Sequence, residues 1–130
     1  MFLVNEREVE ARKLIKGDAE KVWGKYLITD REGARKFHMR IFVVEPGGKT
    51  SYDQHVYEHE VYILRGRGRL VTIKDGERRE VEVKPGDAIL IESNEIHQFF
   101  NEGDEPLEFI CIKGVPEIYE ERSEEGIEAC

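Results

Sequence analysis

Apolar and polar residues alternate with a period of two along most of the chain, the pattern of strands with one buried face. The alternation predicts strands over Val22–Ile28, Phe37–Glu45, Glu60–Leu64, Gly68–Lys74, Glu80–Val83, Ala88–Ile91, His97–Asn101 and Leu107–Ile112. These segments are rich in Val, Ile, Tyr and Phe, which suit a pleated, half-buried surface. Turn-forming sequences separate them: Pro46-Gly47-Gly48, Lys74-Asp75-Gly76-Glu77, Lys84-Pro85-Gly86-Asp87, Glu92-Ser93-Asn94-Glu95 and Glu102-Gly103-Asp104-Glu105-Pro106. Short strands at this even spacing read as an antiparallel sandwich or barrel. The segment Val9–Glu20 has room for one helical turn or an extra strand. The expected fold class is all-β, in one domain.

Composition narrows the partners. The chain has 130 residues, and its formal charge is 20 − 28 = −8. Residues 117–130 carry six Glu against one Arg, so −5 lies there and −3 on residues 1–116. We therefore divide the chain into a nearly balanced body, 1–116, and an acidic tail, 117–130, that is solvated or covers a dimer. Nucleic acid is not an expected partner, because phosphate backbones demand clustered Lys and Arg. No apolar run approaches the ~20 residues of a membrane helix. The N-terminus turns charged too soon for a signal peptide. Two cysteines, Cys111 and Cys130, are too few for a disulfide framework. Together these features point to a cytoplasmic location. Charged residues make up 37% of the chain and Asn plus Gln number only five, a balance that leans towards a thermophilic source.

The four histidines carry the chemistry. In a strand, residues two apart share a face, so Asp53 and His55 project together, their Cα atoms roughly 7 Å apart. His59 has the same parity but lies about 13 Å from His55 on a straight strand, so a shared ion requires a bend near Val56–Glu58. Taken alone, His55-Val56-Tyr57-Glu58-His59 is also the H-x-x-E-H pattern of a zinc-protease helix. Val56, Tyr57, Val61, Tyr62 and Ile63 favour strand, however, and Gly66-Arg67-Gly68 would break a helix within two turns.

A wider window is more specific. Gly47, Asp53, His55, His59 and Gly66 have the spacing of the first cupin motif. Gly86, Glu92, Asn94, His97 and Asn101 have the spacing of the second. The chain resembles the cupin superfamily over Phe37–Ile112. Within it, Glu45-Pro46-Gly47-Gly48, Glu58-His59-Glu60 and Asn94-Glu95-Ile96-His97 are similar to small single-domain manganese cupins of thermophilic prokaryotes. The resemblance implies a jelly-roll barrel (a double-stranded β-helix) with the metal ligands Asp53, His55, His59 and His97. The close subfamily has histidine where this chain has Asp53. The resemblance also places Thr50, Phe109 and Cys111 at the substrate pocket and makes Arg40 an anion contact. From the residues alone, core packing is the competing reading of Phe109 and Cys111, second to pocket lining, and Arg40 reads as an exposed strand residue. His38 has no assigned role.

Three imidazoles and a carboxylate suit Mn, and also Fe, Co, Ni or Zn. Open coordination positions would let such a metal polarise a substrate or activate dioxygen. The expected function is a metal-dependent oxidoreductase of dioxygenase type acting on a small organic molecule. Neither Glu58 nor Glu60 shares the parity of His59, so no general base stands out. The alternative is a small-ligand binding or sensing cupin whose metal anchors the ligand without turnover. Small cupins commonly pair, which implies a homodimer with Phe2–Leu14 or Val22–Ile28 crossing between subunits.

Overall fold

The computed structural model describes residues 1–115 and 130; the tail expected over 117–130 therefore lies outside the described residues except for Cys130. Among the described residues, nine antiparallel strands form one curled sheet: β1 Arg12–Lys13, β2 Glu20–Ile28, β3 Phe37–Lys49, β4 His59–Arg65, β5 Gly68–Lys74, β6 Glu77–Val83, β7 Ala88–Ile91, β8 Ile96–Phe100 and β9 Leu107–Gly114. The order is β6-β5-β8-β3-β9-β4-β7, with β2 on the other side of β3 and β1 beyond it. All eight expected strands are present. Val9–Glu20 supplies the extra strand β1, and a 3-10 turn precedes it at Glu6–Glu8. No helix among the described residues is long and apolar enough to cross a membrane.

The expected turn at Pro46-Gly47-Gly48 is instead the end of β3. Gly47 takes φ +83°, and the β2–β3 register slips between Glu20 and Val22. The result is a bulge that bends the strand without ending it. Past the bend, Lys49 pairs with Phe100 of β8, while Phe37–Val44 pairs with β9. The bent strand thus joins two walls of the barrel. Asn101 fastens this corner, its side chain donating to the Val44 and Glu105 carbonyls at 2.8 Å each. Gly66 serves another close approach: a Cβ there would meet the Pro106 carbonyl and Leu107 Cα.

Alternation decides what faces inward. From β3 come His38, Arg40, Phe42 and Val44; from β9, Leu107, Phe109, Cys111 and Lys113; from β4, His59, Val61 and Ile63. Register puts Phe42, Phe109 and Ile63 on one rung, and His38, Lys113 and His59 two rungs away. One end of the barrel is therefore apolar, built on the stacked Phe99 and Phe109 with Phe42, Val44, Leu70 and Leu107. The other end is lined by buried histidine, arginine and lysine. Burying the apolar end contributes roughly 25 cal/mol per Å² removed from water. The polar end draws on that stability.

Candidate metal centre

Two segments converge at the polar end. The chain from Thr50 to Glu58 is extended, bends at Val56–Tyr57 and enters β4 at His59, so no protease-type helix forms. It lies antiparallel to β8: the Asp53 amide donates to His97 O at 3.2 Å and the His97 amide to Asp53 O at 2.9 Å. Its far side is held by the 92–95 turn, where Asn94 adopts φ +63° and donates its amide to His55 O at 2.7 Å. Ser93 Oγ donates to Val56 O in the same contact. Asp18 completes the bracing by accepting from the Tyr52 amide and from Gln98 Nε2, both at 2.9 Å.

This bracing brings together three of the four expected ligands. One ring nitrogen each from His55, His59 and His97 lies within 4.8 Å of the others, and all three side chains are buried. His97 places Nδ1 3.0 Å from Glu95 O and Nε2 2.8 Å from the main-chain oxygen of Cys130, so a metal would have to displace one of these carbonyls. His59 Nε2 is buried with no hydrogen-bond partner among the described residues, an arrangement that costs free energy unless a ligand satisfies it. Burial, followed by the field of His97 and then of Lys16, Lys113 and Arg40, lowers His55 to about 2. Burial and then His97, Arg40, His55 and Lys113 also push His59 down. Both rings are thus neutral at ordinary pH, the form that donates a lone pair to a metal. A nitrogen-rich, buried donor set of this kind fits a divalent transition metal.

Asp53 stands at the edge of this cluster. Its carboxylate accepts from Ser51 Oγ and pairs with Lys16 Nζ at 3.1 Å. It would have to exchange those partners to join a metal. Of the expected pocket residues, Thr50 turns its hydroxyl to the Phe99 amide at 2.8 Å, a backbone brace. Phe109 belongs to the aromatic stack of the apolar end. Cys111 and Arg40 require correction. Cys111 is not a free thiol: it forms a disulfide with Cys130. Arg40 is not an exposed strand residue: its parity with Phe42 turns it inward, fully buried, to donate to Cys111 O at 3.4 Å and Cys111 Sγ at 3.1 Å.

The sequence reading missed Lys113, His38 and Tyr57 as lining. Lys113 shares the parity of Phe109 and Cys111, and His38 that of Phe42, so the same alternation marks both as inward. Lys113 Nζ lies 4.6 Å from the centroid of the buried Tyr57 ring, which stacks on His55 at 4.7 Å. Two surface grooves, one beside Arg69 and Glu102 and one over Tyr62 and Leu90, lie outside the barrel and share no residue with the histidine cluster.

The depressed histidines predict acid lability of the metal-free protein. An unfolded His ionises near 6.5, whereas His55 in the fold takes up its proton only near 2. Between these values the unfolded state binds more protons, so stability is complete above the unfolded value and falls with pH below it. Each such histidine removes at most about 1.4 kcal/mol per pH unit. Urea midpoints measured from about pH 7 to pH 4 should fall steadily, and less steeply in His55→Gln. A flat profile would contradict the burial assigned to these rings.

The described fold and its histidine cluster define a small barrel protein with a potential metal centre. The Cupin domain family matches residues 40–113; the chain belongs to the cupins, a fold that commonly binds metal. It is 36% identical over 74 residues to 1-methylthio-D-xylulose 5-phosphate methylsulfurylase of Rhodospirillum rubrum, covering 57% of this chain and 45% of that protein. The chain thus spans less than half the length of that relative. Among solved structures it is similar to the polyketide cyclase RemF of Streptomyces resistomycificus, at 32% identity and a TM-score of 0.80, covering 88% of this chain and 79% of that one. A predicted oxalate decarboxylase of Thermotoga maritima shares the fold, at 21% identity and a TM-score of 0.75, with 87% and 98% covered.

Proposed function

We propose that this protein is a metal-dependent oxidoreductase of dioxygenase type acting on a small anionic organic substrate. One observation carries the reading: three buried histidine side chains bring a ring nitrogen each within 4.8 Å at the end of the barrel where Arg40 and Lys113 are buried. His55, His59 and His97 would hold the ion, with Mn or Fe preferred. When bound, such an ion supplies open coordination positions and one-electron redox capacity. Arg40 and Lys113 make the chamber electropositive, since their field is felt at both His55 and His59, and a positive cleft concentrates anions. Tyr57 walls the chamber beside His55, and the phenylalanine stack excludes water from below. The relatives named as acting on a sugar phosphate and as a polyketide cyclase support a small-molecule substrate.

Dioxygen consumption tests the reading. Protein loaded with Mn or Fe(II) should consume oxygen with one member of a panel of small carboxylates and phosphate esters, and His59→Gln should abolish the uptake. Lys113→Met should raise KM by roughly tenfold to a hundredfold, because a hydrogen bond to a charged group contributes about 1.5–3 kcal/mol. A panel member that binds the loaded protein without oxygen uptake would overturn turnover and favour the ligand-binding alternative.

A homodimer follows from the outer surface. β4 and β7 expose Tyr62, Leu64 and Leu90, and the N-terminus exposes Met1, Phe2 and Leu3. Apolar area of this kind marks an interaction surface. Val22–Ile28 pairs with β3 of its own chain, which leaves Phe2–Leu14 the better-supported crossing segment. Leu14 likewise belongs to the chain's own core. Removing residues 1–4 should therefore convert a dimer to a monomer in light scattering without unfolding the barrel. An unchanged dimer would sink the N-terminal route.

A further inference from the structure

The disulfide and the histidine cluster share a residue. His59 Nδ1 lies 3.4 Å from Cys111 Sγ and 3.9 Å from Cys130 Sγ, and the three ligand atoms all fall within 4.8 Å of one another. All three residues are buried. Arg40 Nη2 donates to Cys111 Sγ at 3.1 Å, an arrangement that favours the thiolate once the disulfide is opened. Cys130 also touches the first cluster: its main-chain oxygen lies 2.8 Å from His97 Nε2.

We propose that the reduced protein holds a thiophilic divalent cation, Zn²⁺ or its analogue Co²⁺, on His59, Cys111 and Cys130. This second ligand set is an alternative to His55, His59 and His97. Opening the disulfide needs a reductant, here a small dithiol: the dithiol gives two electrons and two protons, the Cys111–Cys130 bond breaks, two thiols form, and the dithiol closes to its cyclic disulfide. Binding the cation then releases the two thiol protons and forms two metal–sulfur bonds. Three protein ligands leave a fourth tetrahedral position open.

The two sets exclude each other because a neutral imidazole has a single lone pair, so His59 serves the sulfurs through Nδ1 or the histidines through Nε2. Thiolate selects zinc, and imidazole without thiolate tolerates manganese or iron. The redox state of one cysteine pair would then choose which metal the barrel carries.

The inference rests on the histidine reading only through His59, and variants separate the two. Co²⁺ added to protein reduced with dithiothreitol should give a near-ultraviolet thiolate-to-metal absorption band, absent after oxidation with diamide. The band should persist in His55→Ala and disappear in Cys111→Ser and in Cys130→Ser. Mn²⁺ binding should show the reverse pattern: lost in His55→Ala, retained in Cys111→Ser, and at least severalfold tighter in Cys130→Ala, where the restraint on His97 is removed. Manganese binding without a cobalt–thiolate band in the reduced wild type would overturn this proposal and leave the histidine site standing. A band that survives Cys130→Ser would also overturn it. Loss of both bindings in wild type would remove the two sites together.

Discussion

His59→Gln should abolish stoichiometric metal binding, and His55→Gln should weaken it more than roughly a hundredfold. Replacing even an outer-shell partner of a metal ligand typically costs 10–100-fold in affinity, and these variants remove a direct donor. Glutamine keeps most of the imidazole volume and can hydrogen-bond, so the barrel should survive; retention of the wild-type urea midpoint near neutral pH checks this. Asp53→Asn is the informative comparison. Its carboxylate holds Ser51 and Lys16 and stands outside the group of nitrogens that meet within 4.8 Å. Affinity should therefore fall by no more than about 10–100-fold, the loss that follows an outer-shell change, while binding stays stoichiometric. Metal content by plasma mass spectrometry after dialysis, with Mn²⁺ titrations, reads all three variants. If Asp53→Asn loses metal as completely as His59→Gln, the four-ligand set implied by the motif spacing is correct and the Lys16 pair opens on binding.

Most of the strand pattern was legible because alternation and burial report the same physics. Where a strand has one face in the core, each inward position must be apolar or otherwise satisfied, and β4, β7 and β9 obey this closely. Pro46-Gly47-Gly48 misled because the residues that make a turn also make a bulge, and only the Lys49–Phe100 pairing tells them apart. The three histidines were legible from spacing. Two things were not. Arg40 and Lys113 are charged, and charged residues are almost never fully buried unless paired, so composition argued against their own parity. The contact of Cys130 with Cys111, His59 and His97 spans 19, 71 and 33 residues. No local pattern encodes an approach across such distances.

Phe109 decides how the barrel divides between stability and chemistry. The resemblance places this residue at the pocket, whereas the structure stacks it on Phe99 at a centroid distance of 4.6 Å and sets Phe42 at 6.0 Å. Register adds Ile63 from β4 on the other side, so the ring is enclosed from three strands and has no exposed surface. Truncating it leaves a cavity that rigid strands cannot close. Phe109→Ala should therefore cost about 3–5 kcal/mol, read as a fall in the urea midpoint with an unchanged m-value. Phe109→Leu keeps most of the volume and should cost less than about 1.5 kcal/mol. Metal affinity separates the two roles, because the ring stands on the rung of Phe42 while His59 stands opposite Lys113. If Phe109 is core, Phe109→Leu binds Mn²⁺ as wild type does and differs only in stability. If it lines the pocket, the same variant changes substrate KM while the midpoint hardly moves. The stacking geometry favours the first result: the apolar end stabilises a fold that keeps the histidines buried two rungs away.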